Sequence, residues 1–279
     1  MCIAAIAIGQ SERFPWVLLS NRDEFFDRGA QAMDWWRPKE DGPRILSGRD
    51  LTAGGTWLGL NEIGQLALLT NVREPGVSLP SASSRGEIVA DWLSGQCSTA
   101  RLQELTAAPR NGFNLLTANL ASRPRAVPDS SRATWLSNRP SQQMATLGTG
   151  LYGLSNAALD TPWPKLQTLK QSLHKALQRC EDRHTLVEQG FAALADRTHV
   201  PEHLLVSTGL PRDREIQLSS VFVRIAGGSP EKDYGTRCST AVVVEYAGTD
   251  RWVHITERSF DRRGEPIGEV GFRLRLNAL

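Results

Sequence analysis

Short apolar runs paired as hairpins, and two stretches with helical spacing between them, predict an α+β protein of mostly antiparallel sheets covered by helices. The runs come in the order strands, helices, strands, helices, strands. Several of them flank turn residues at hairpin distance, which favours antiparallel pairing. The 279 residues are 40% hydrophobic and 22% charged, an ordinary globular composition, so one domain over 1–279 is expected.

Taken in order, Ile3 to Ile8 is an apolar run with β-branched residues, which reads as a buried strand. Gly9 to Phe14 is turn-like, and Trp16 to Leu19 completes a first hairpin. Thr56 to Leu60 and Leu66 to Thr70 repeat the pattern around Asn61-Glu62-Ile63-Gly64. Ser83-Ser84 ahead of Glu87, Ile88, Val89, Trp92 and Leu93 is a helix start of capping-box type. Thr99 to Ala107 reads as a helix stopped by Pro109. Phe113 to Leu120, Thr134 to Ser137 and Gly150 to Ser155 read as strands. Leu166, Leu169, Leu173 and Leu177 give helical spacing over Trp163 to Leu177, and Thr185 to Leu194 is a further helix. Ser220 to Ile225, Ser239 to Tyr246, Trp252 to Glu257 and Gly271 to Leu276 return to strand. Pro80 to Ser84 and Ser122 to Arg132 are expected as mobile loops.

A formal charge of +2 argues against a nucleic-acid partner. Arg262-Arg263 and the pair Arg123 and Arg125 read as solvated loops. No apolar run approaches the roughly 20 residues of a membrane-spanning helix. The start lacks the charged region and the long apolar run of a signal peptide, so a cytoplasmic protein is expected. Cys2, Cys97, Cys180 and Cys238 contain no CxxC pair, which suits a reducing compartment. His199 and His203 flank Pro201 without an HExxH motif, so they read as surface histidines; no metal and no cofactor are expected.

Cys2 directly follows Met1. Removal of the methionine would leave a thiol beside an α-amine, a nucleophile with its own base. Alternatively Cys2 is a small apolar residue at a strand start. Asn21-Arg22-Asp23-Glu24 follows the second strand. If that strand pairs antiparallel with the first, Arg22 sits near Cys2 and favours its thiolate. Asp23 or Glu24 could then hold the α-amine. The other reading is a solvated turn with surface ion pairs. Asn71 and Asn156 each end a strand; their amides suit an oxyanion, or they cap turns. Arg237 precedes the apolar strand Ala241 to Val244, where it must be paired or face a cleft. Cys238 reads as core.

Met1-Cys2-Ile3, Asn21-Arg22-Asp23-Glu24, Gly54-Gly55-Thr56-Trp57-Leu58-Gly59, Thr70-Asn71-Val72-Arg73 and Gly153-Leu154-Ser155-Asn156 together resemble the NRDE family, whose eukaryotic members are called transport and Golgi organisation protein 2. The likeness runs through essentially the whole chain. The same pattern is similar to the cysteine N-terminal-nucleophile hydrolases, which include bile salt hydrolases and penicillin V acylases. That resemblance implies a four-layer αββα sandwich and a site at Cys2, Arg22, Asn71, Asn156 and Arg237. One departure stands out. In those hydrolases an aspartate lies three residues beyond the arginine; here Asp23 follows Arg22 directly and Phe25 fills the third place.

Two functions follow, since fold alone does not fix activity. The first is an N-terminal-cysteine amidohydrolase acting on a C–N bond of a small molecule. The second is a non-catalytic binding or trafficking protein of the same fold, with a haem- or lipid-related apolar ligand. For haem, Cys2 would be the candidate thiolate ligand. Trp35, Trp36 and Trp57 line an apolar pocket on the second reading, or are simply core. A scaffold role ranks last, because no repeat and no long apolar stripe is present.

Overall fold

The computed structural model describes residues 2–76, 79, 83–95, 97–98, 100–102, 104, 109–121 and 133–276. Its strands are β1 (Cys2–Ile8), β2 (Trp16–Phe25), β3 (Ala30–Trp36), β4 (Ile45–Asp50), β5 (Leu58–Asn61), β6 (Gln65–Asn71), β7 (Phe113–Asn119), β8 (Ala133–Ser137), β9 (Gln143–Leu147), β10 (Gly150–Leu154), β11 (Arg224–Ile225), β12 (Tyr234–Ala247), β13 (Asp250–Phe260) and β14 (Pro266–Arg275). Its principal helices are α1 (Arg85–Leu93), α2 (Pro164–Arg179), α3 (Arg183–Leu194) and α4 (Arg212–Gln217). The protein is α+β, with two seven-stranded sheets whose assigned pairings are antiparallel.

The chain divides into two compact units. The first holds Met1–Asp27, Thr149–Ser155 and Leu159–Arg273. Its sheet runs β10-β1-β2-β12-β13-β14, with β11 beside β12. Helix α2 covers β1 and β10, and α3 covers β2 and β12. Close approach fixes both contacts. A Cβ on Gly153 would lie 2.8 Å from Leu166 Cδ1, and one on Gly190 would lie 2.7 Å from Leu19 Cδ2. Leu166, Leu169, Leu173 and Ala176 form the buried stripe of α2. Pro164 opens that helix at its first position, where no N–H is needed. Asp182 caps α3 through Thr185 N at 2.9 Å, so this helix begins two residues before the expected start.

The register decides which side chains face those helices. Gly153, Ala5, Leu19 and Ala241 stand side by side on the helix-covered face. Strand side chains alternate. The other face therefore carries Cys2, Ala4 and Ile6 from β1, Ser20 and Arg22 from β2, and Cys238 and Thr240 from β12. All of these are buried.

The second unit holds Arg28–Gly148, Asn156–Ala158 and Leu274–Leu279. Its sheet is a simple meander from β3 to β9, and α1 lies on β4, β5 and β6. The expected turn joins β5 to β6, with Gly64 at φ 83° and its N–H donating to Asn61 O at 3.1 Å. The Gly-Gly-Thr-Trp segment packs backbone on backbone. A Cβ on Gly55 would lie 2.5 Å from the carbonyl carbon of Gly86 in α1, and Thr56 N donates to Gly86 O at 3.3 Å. Trp57 is buried core, its ring 2.4 Å from where a Cβ on Gly48 would sit.

Several expectations need correction. β2 does not stop at Leu19 but continues through the polar tetrad to Phe25. β3, β4 and β9 were not expected, because polar residues break up their apolar pattern: Gln31 and Asp34 in β3, Ser47, Arg49 and Asp50 in β4, and Gln143 and Thr146 in β9. In Ser220 to Ile225 only the last two residues are strand; Ser220 Oγ donates to Phe222 O at 2.6 Å, a local bond that competes with the ladder. Ser84 is the N-cap of α1, yet its side chain makes no capping bond. Residues 100–102 and 104 are helical, and the rest of the expected Thr99 to Ala107 helix lies outside the described residues. Ser122 to Arg132, with Arg123 and Arg125, and Pro80 to Ala82 also lie outside them. His199 and His203 are exposed. Among the described residues no helix is long and apolar enough to cross a membrane, and no group of three or more His, Cys, Asp or Glu could hold a metal ion.

The backbone contact at Gly55 yields a stability prediction. Gly55→Ala forces a methyl against α1 and should destabilise the protein by about 1–3 kcal/mol. At Gly76 a Cβ would meet no heavy atom within 4 Å, and the positive φ of 78° is the only obstacle, so the same change there should cost less. Urea unfolding of the two variants beside the parent checks the order.

Candidate active site

Cys2 is the first residue of β1 and is 7% exposed. Its cross-strand partner on β2 is Arg22, itself buried. The expected neighbourhood of thiol and guanidinium thus follows from the register of the first hairpin. Ser155 Oγ donates to the Cys2 carbonyl at 3.4 Å, which ties the start of β1 to the end of β10.

The tetrad is a strand interior, not a solvated turn. Asn21, Arg22 and Asp23 are all buried, and Glu24 is half-buried. Asn21 lies on the helix-covered face. Its amide donates to Leu194 O at 2.8 Å and Val221 O at 3.0 Å, and it accepts from Ser239 Oγ at 2.6 Å. Asp23 shares that face and accepts from Thr236 Oγ1 at 2.7 Å. The Asp23 carbonyl accepts from the Tyr234 hydroxyl at 3.0 Å. Glu24 instead accepts from the neighbouring Phe25 N at 3.0 Å. Asp23 is therefore the buried acid of the pair and Glu24 the peripheral one.

The electrostatics correct one expectation. The N-terminal amine and, to a smaller extent, Arg22 act to lower the Cys2 pKa, but burial outweighs them, and the Asp23 carboxylate adds to burial. The net result is a thiol pushed above its ordinary range. Burial likewise pushes the Asp23 carboxyl up, against the pull of the N-terminal amine, Lys165 and the Thr236 hydrogen bond. At neutral pH the thiol therefore keeps its proton.

Arg237 occupies a β-bulge. Thr236 pairs with Asp23 and Cys238 with Arg22, so Arg237 is the extra residue between two paired ones. Its Nη1 donates to Phe25 O at 2.8 Å, and its guanidinium stacks 4.9 Å from the Phe26 ring centre. Burial and the nearby Arg22 charge both lower its pKa. Cys238 is core, as expected.

The two asparagines belong to the second unit, and the structure brings them together there. Asn156 Nδ2 donates to Asn71 O at 3.1 Å, and Arg73 N donates to Asn156 O at 2.8 Å. The bond to Asn71 uses one of the two amide hydrogens of Asn156. Asn114, which the sequence reading missed, fixes the following residue by donating to Ala157 O at 2.8 Å. Its Oδ1 accepts from Trp135 Nε1 at 3.1 Å. Thr236 and Tyr234 were missed as well. Their only signal was their place in the segment around Arg237.

The sign of each electrostatic contribution yields a prediction. In protein that retains Met1, Cys2 should react with iodoacetamide with a pH midpoint above the roughly 8.5 of an ordinary thiol. Asp23→Asn removes a charge that raises the thiol pKa, so the midpoint falls. Arg22→Met removes one that lowers it, so the midpoint rises. Peptide mass mapping of labelling at Cys2 across pH checks both directions.

Comparison with known proteins adds the lineage. Residues 1–262 match the family described as Transport and Golgi organisation 2. The Bos taurus Transport and Golgi organization protein 2 homolog is 36% identical over 252 residues, covering 87% of this chain and 86% of that protein. The Homo sapiens homolog is 33% identical over 254 residues, with the same coverage of each. Among solved structures, a Caenorhabditis elegans N-acylethanolamine-hydrolyzing acid amidase ortholog aligns with a TM-score of 0.48 at 12% identity, covering 87% of this chain and 92% of that one. A mutant conjugated bile acid hydrolase from Clostridium perfringens aligns with a TM-score of 0.38 at 11% identity, covering 98% of this chain and 96% of that one. By the match over residues 1–262 and the identity to the bovine and human proteins, the chain belongs to the Transport and Golgi organisation 2 family.

Proposed function

We propose that this protein is an N-terminal-cysteine amidohydrolase acting on a C–N bond of a small molecule. The observation that carries the reading is the pairing of buried Cys2 with buried Arg22 across the first two strands. Removal of Met1 exposes the Cys2 α-amine. That amine takes the thiol proton as sulfur attacks the amide carbonyl, then returns it to the departing amine. Water next hydrolyses the thioester, releasing the acid and regenerating the thiol. A thiol with a raised pKa suits this sequence, since it stays neutral until substrate and base are both in place. Arg237 lines the site.

The position of Asp23 supports its assignment as the acid that orients the α-amine. Places one and three beyond an arginine lie on the same face of a strand. The shift from the hydrolase spacing therefore moves the acid along β2 without turning it over. Four buried free cysteines agree with a reducing, cytoplasmic setting.

A second reading has its own support: the curated relatives are named for transport and Golgi organization, not for hydrolysis. On that reading the same fold binds a haem- or lipid-related apolar ligand without turnover. The α-amine separates the two, because hydrolysis needs it unblocked and simple binding does not.

Intact mass of protein made in cells should show loss of Met1. Against a panel of acyl amides, Cys2→Ala should lower turnover by at least the ~10³-fold typical of losing a nucleophile, with the melting curve preserved. A retained Met1, or turnover unchanged in Cys2→Ala, would sink the hydrolase reading in favour of ligand binding.

A further inference from the structure

A second buried charge shares the sheet face that carries Cys2. Thr240 on β12 pairs with Ser20 on one side and with Glu257 of β13 on the other. Glu257 thus lies on the same face as Ser20, Arg22 and Cys238. It is 1% exposed, and its Oε2 accepts from Thr240 Oγ1 at 3.3 Å. Two residues along, on the same face, Cys238 stands opposite Arg22. The Cys238 thiol is hydrogen-bonded to Glu257 and also feels the charge of Arg22. Arg22 and Glu257 therefore approach one sulfur from the two strands that flank it.

A buried guanidinium and a buried carboxylate are each strongly destabilising unless compensated. Within the first unit, among the described residues, the buried charged side chains are Arg22, Asp23, Lys165, Glu215, Arg251 and Glu257. Asp23 faces the helices. Lys165 belongs to α2 and donates to Leu218 O; Glu215 belongs to α4 and accepts from Thr208; Arg251 donates to Tyr246 at the far end of the β12–β13 hairpin. That leaves Glu257 as the buried carboxylate on the face of Arg22.

We propose that Glu257 is the counter-ion of Arg22 and, acting through it, a positioning residue for Cys2 that limits how much positive field reaches the thiol. The groups that bear on this site are the N-terminal amine, Cys2 from β1, Arg22, Asp23 and Glu24 from β2, Asp27 just beyond it, Arg237 and Cys238 from β12, Glu257 from β13 and Lys165 from α2. With Glu257 charged, part of the Arg22 field is cancelled before it reaches Cys2, and burial keeps the thiol above its ordinary range. Without it, the Arg22 charge acts on Cys2 alone.

The inference rests on the proposed role of Cys2 as the reactive thiol, but its test needs no turnover. Iodoacetamide labelling of Cys2 is followed against pH in the full chain and in Glu257→Gln, Arg22→Met and the double variant. Glu257→Gln should lower the midpoint by about one pH unit, the size expected for one charge at roughly 10–14 Å in a protein interior. Glu257→Asp, which keeps the charge, should restore most of the parent midpoint. In the Arg22→Met background Glu257→Gln should change nothing, because the carboxylate acts on Cys2 through the Arg22 cation and that cation is gone. A midpoint that stays or rises in Glu257→Gln overturns the proposal, as does an undiminished shift in the Arg22→Met background. If Glu257→Gln alone fails to fold, the double variant should fold again, since both buried charges are gone; failure of the double variant to recover overturns it equally. A protein with no amidase activity still reports the charge pair, so the two proposals fail separately.

Discussion

Arg22 stands between two cysteines, paired with Cys2 on one neighbouring strand and with Cys238 on the other, so that a buried cation sits in the interior of the first unit's sheet. β2 is an interior strand, so its polar residues cannot reach water sideways. Each must find a partner on one face or the other. Asn21 and Asp23 find theirs on the helix-covered face, in Ser239, Thr236 and the carbonyls of Leu194 and Val221. Those partners come from widely separated parts of the chain. The tetrad is thus a structural hub as well as a candidate chemical one.

The second unit reaches a similar end with neutral groups. Asn71, Asn114 and Asn156 are linked through backbone carbonyls, with Trp135 and Thr70 closing the network around Asn114. Amide side chains carry both donors and acceptors, so such a network can be satisfied without any net charge. One unit therefore presents ionisable groups in a buried setting, and the other presents oriented amides.

The first hairpin was legible because its two apolar runs flank an evident turn, and from that alone Arg22 could be set beside Cys2. The buried stripe of α2 was legible from its leucine spacing. What escaped detection did so for physical reasons. The extension of β2 through Asn21 to Phe25 is masked by polarity: four polar residues in a row look solvated unless their partners are known, and those partners lie far along the chain. Glu257 sits in an alternating strand where a glutamate normally faces water. β3 and β9 carry few buried apolar residues, so no period-2 signal rises above the loop background. The direction of the Cys2 shift was also out of reach, because burial is a property of the packed chain and outweighs the one charge that sequence proximity revealed.

The bulge in β12 has a consequence for how this site could change over evolutionary time. Thr236 and Cys238 keep their places opposite β2 on either side of it, and the register passes over Arg237. The paired residues of these strands are locked in phase: moving one by a single place would send its side chain through the sheet. Arg237 is exempt from that constraint. It can be gained, lost or replaced while the phase of the pleat is kept on both sides. The rim of the site can therefore drift in charge and size while the ladder that holds Cys2 and Arg22 stays fixed.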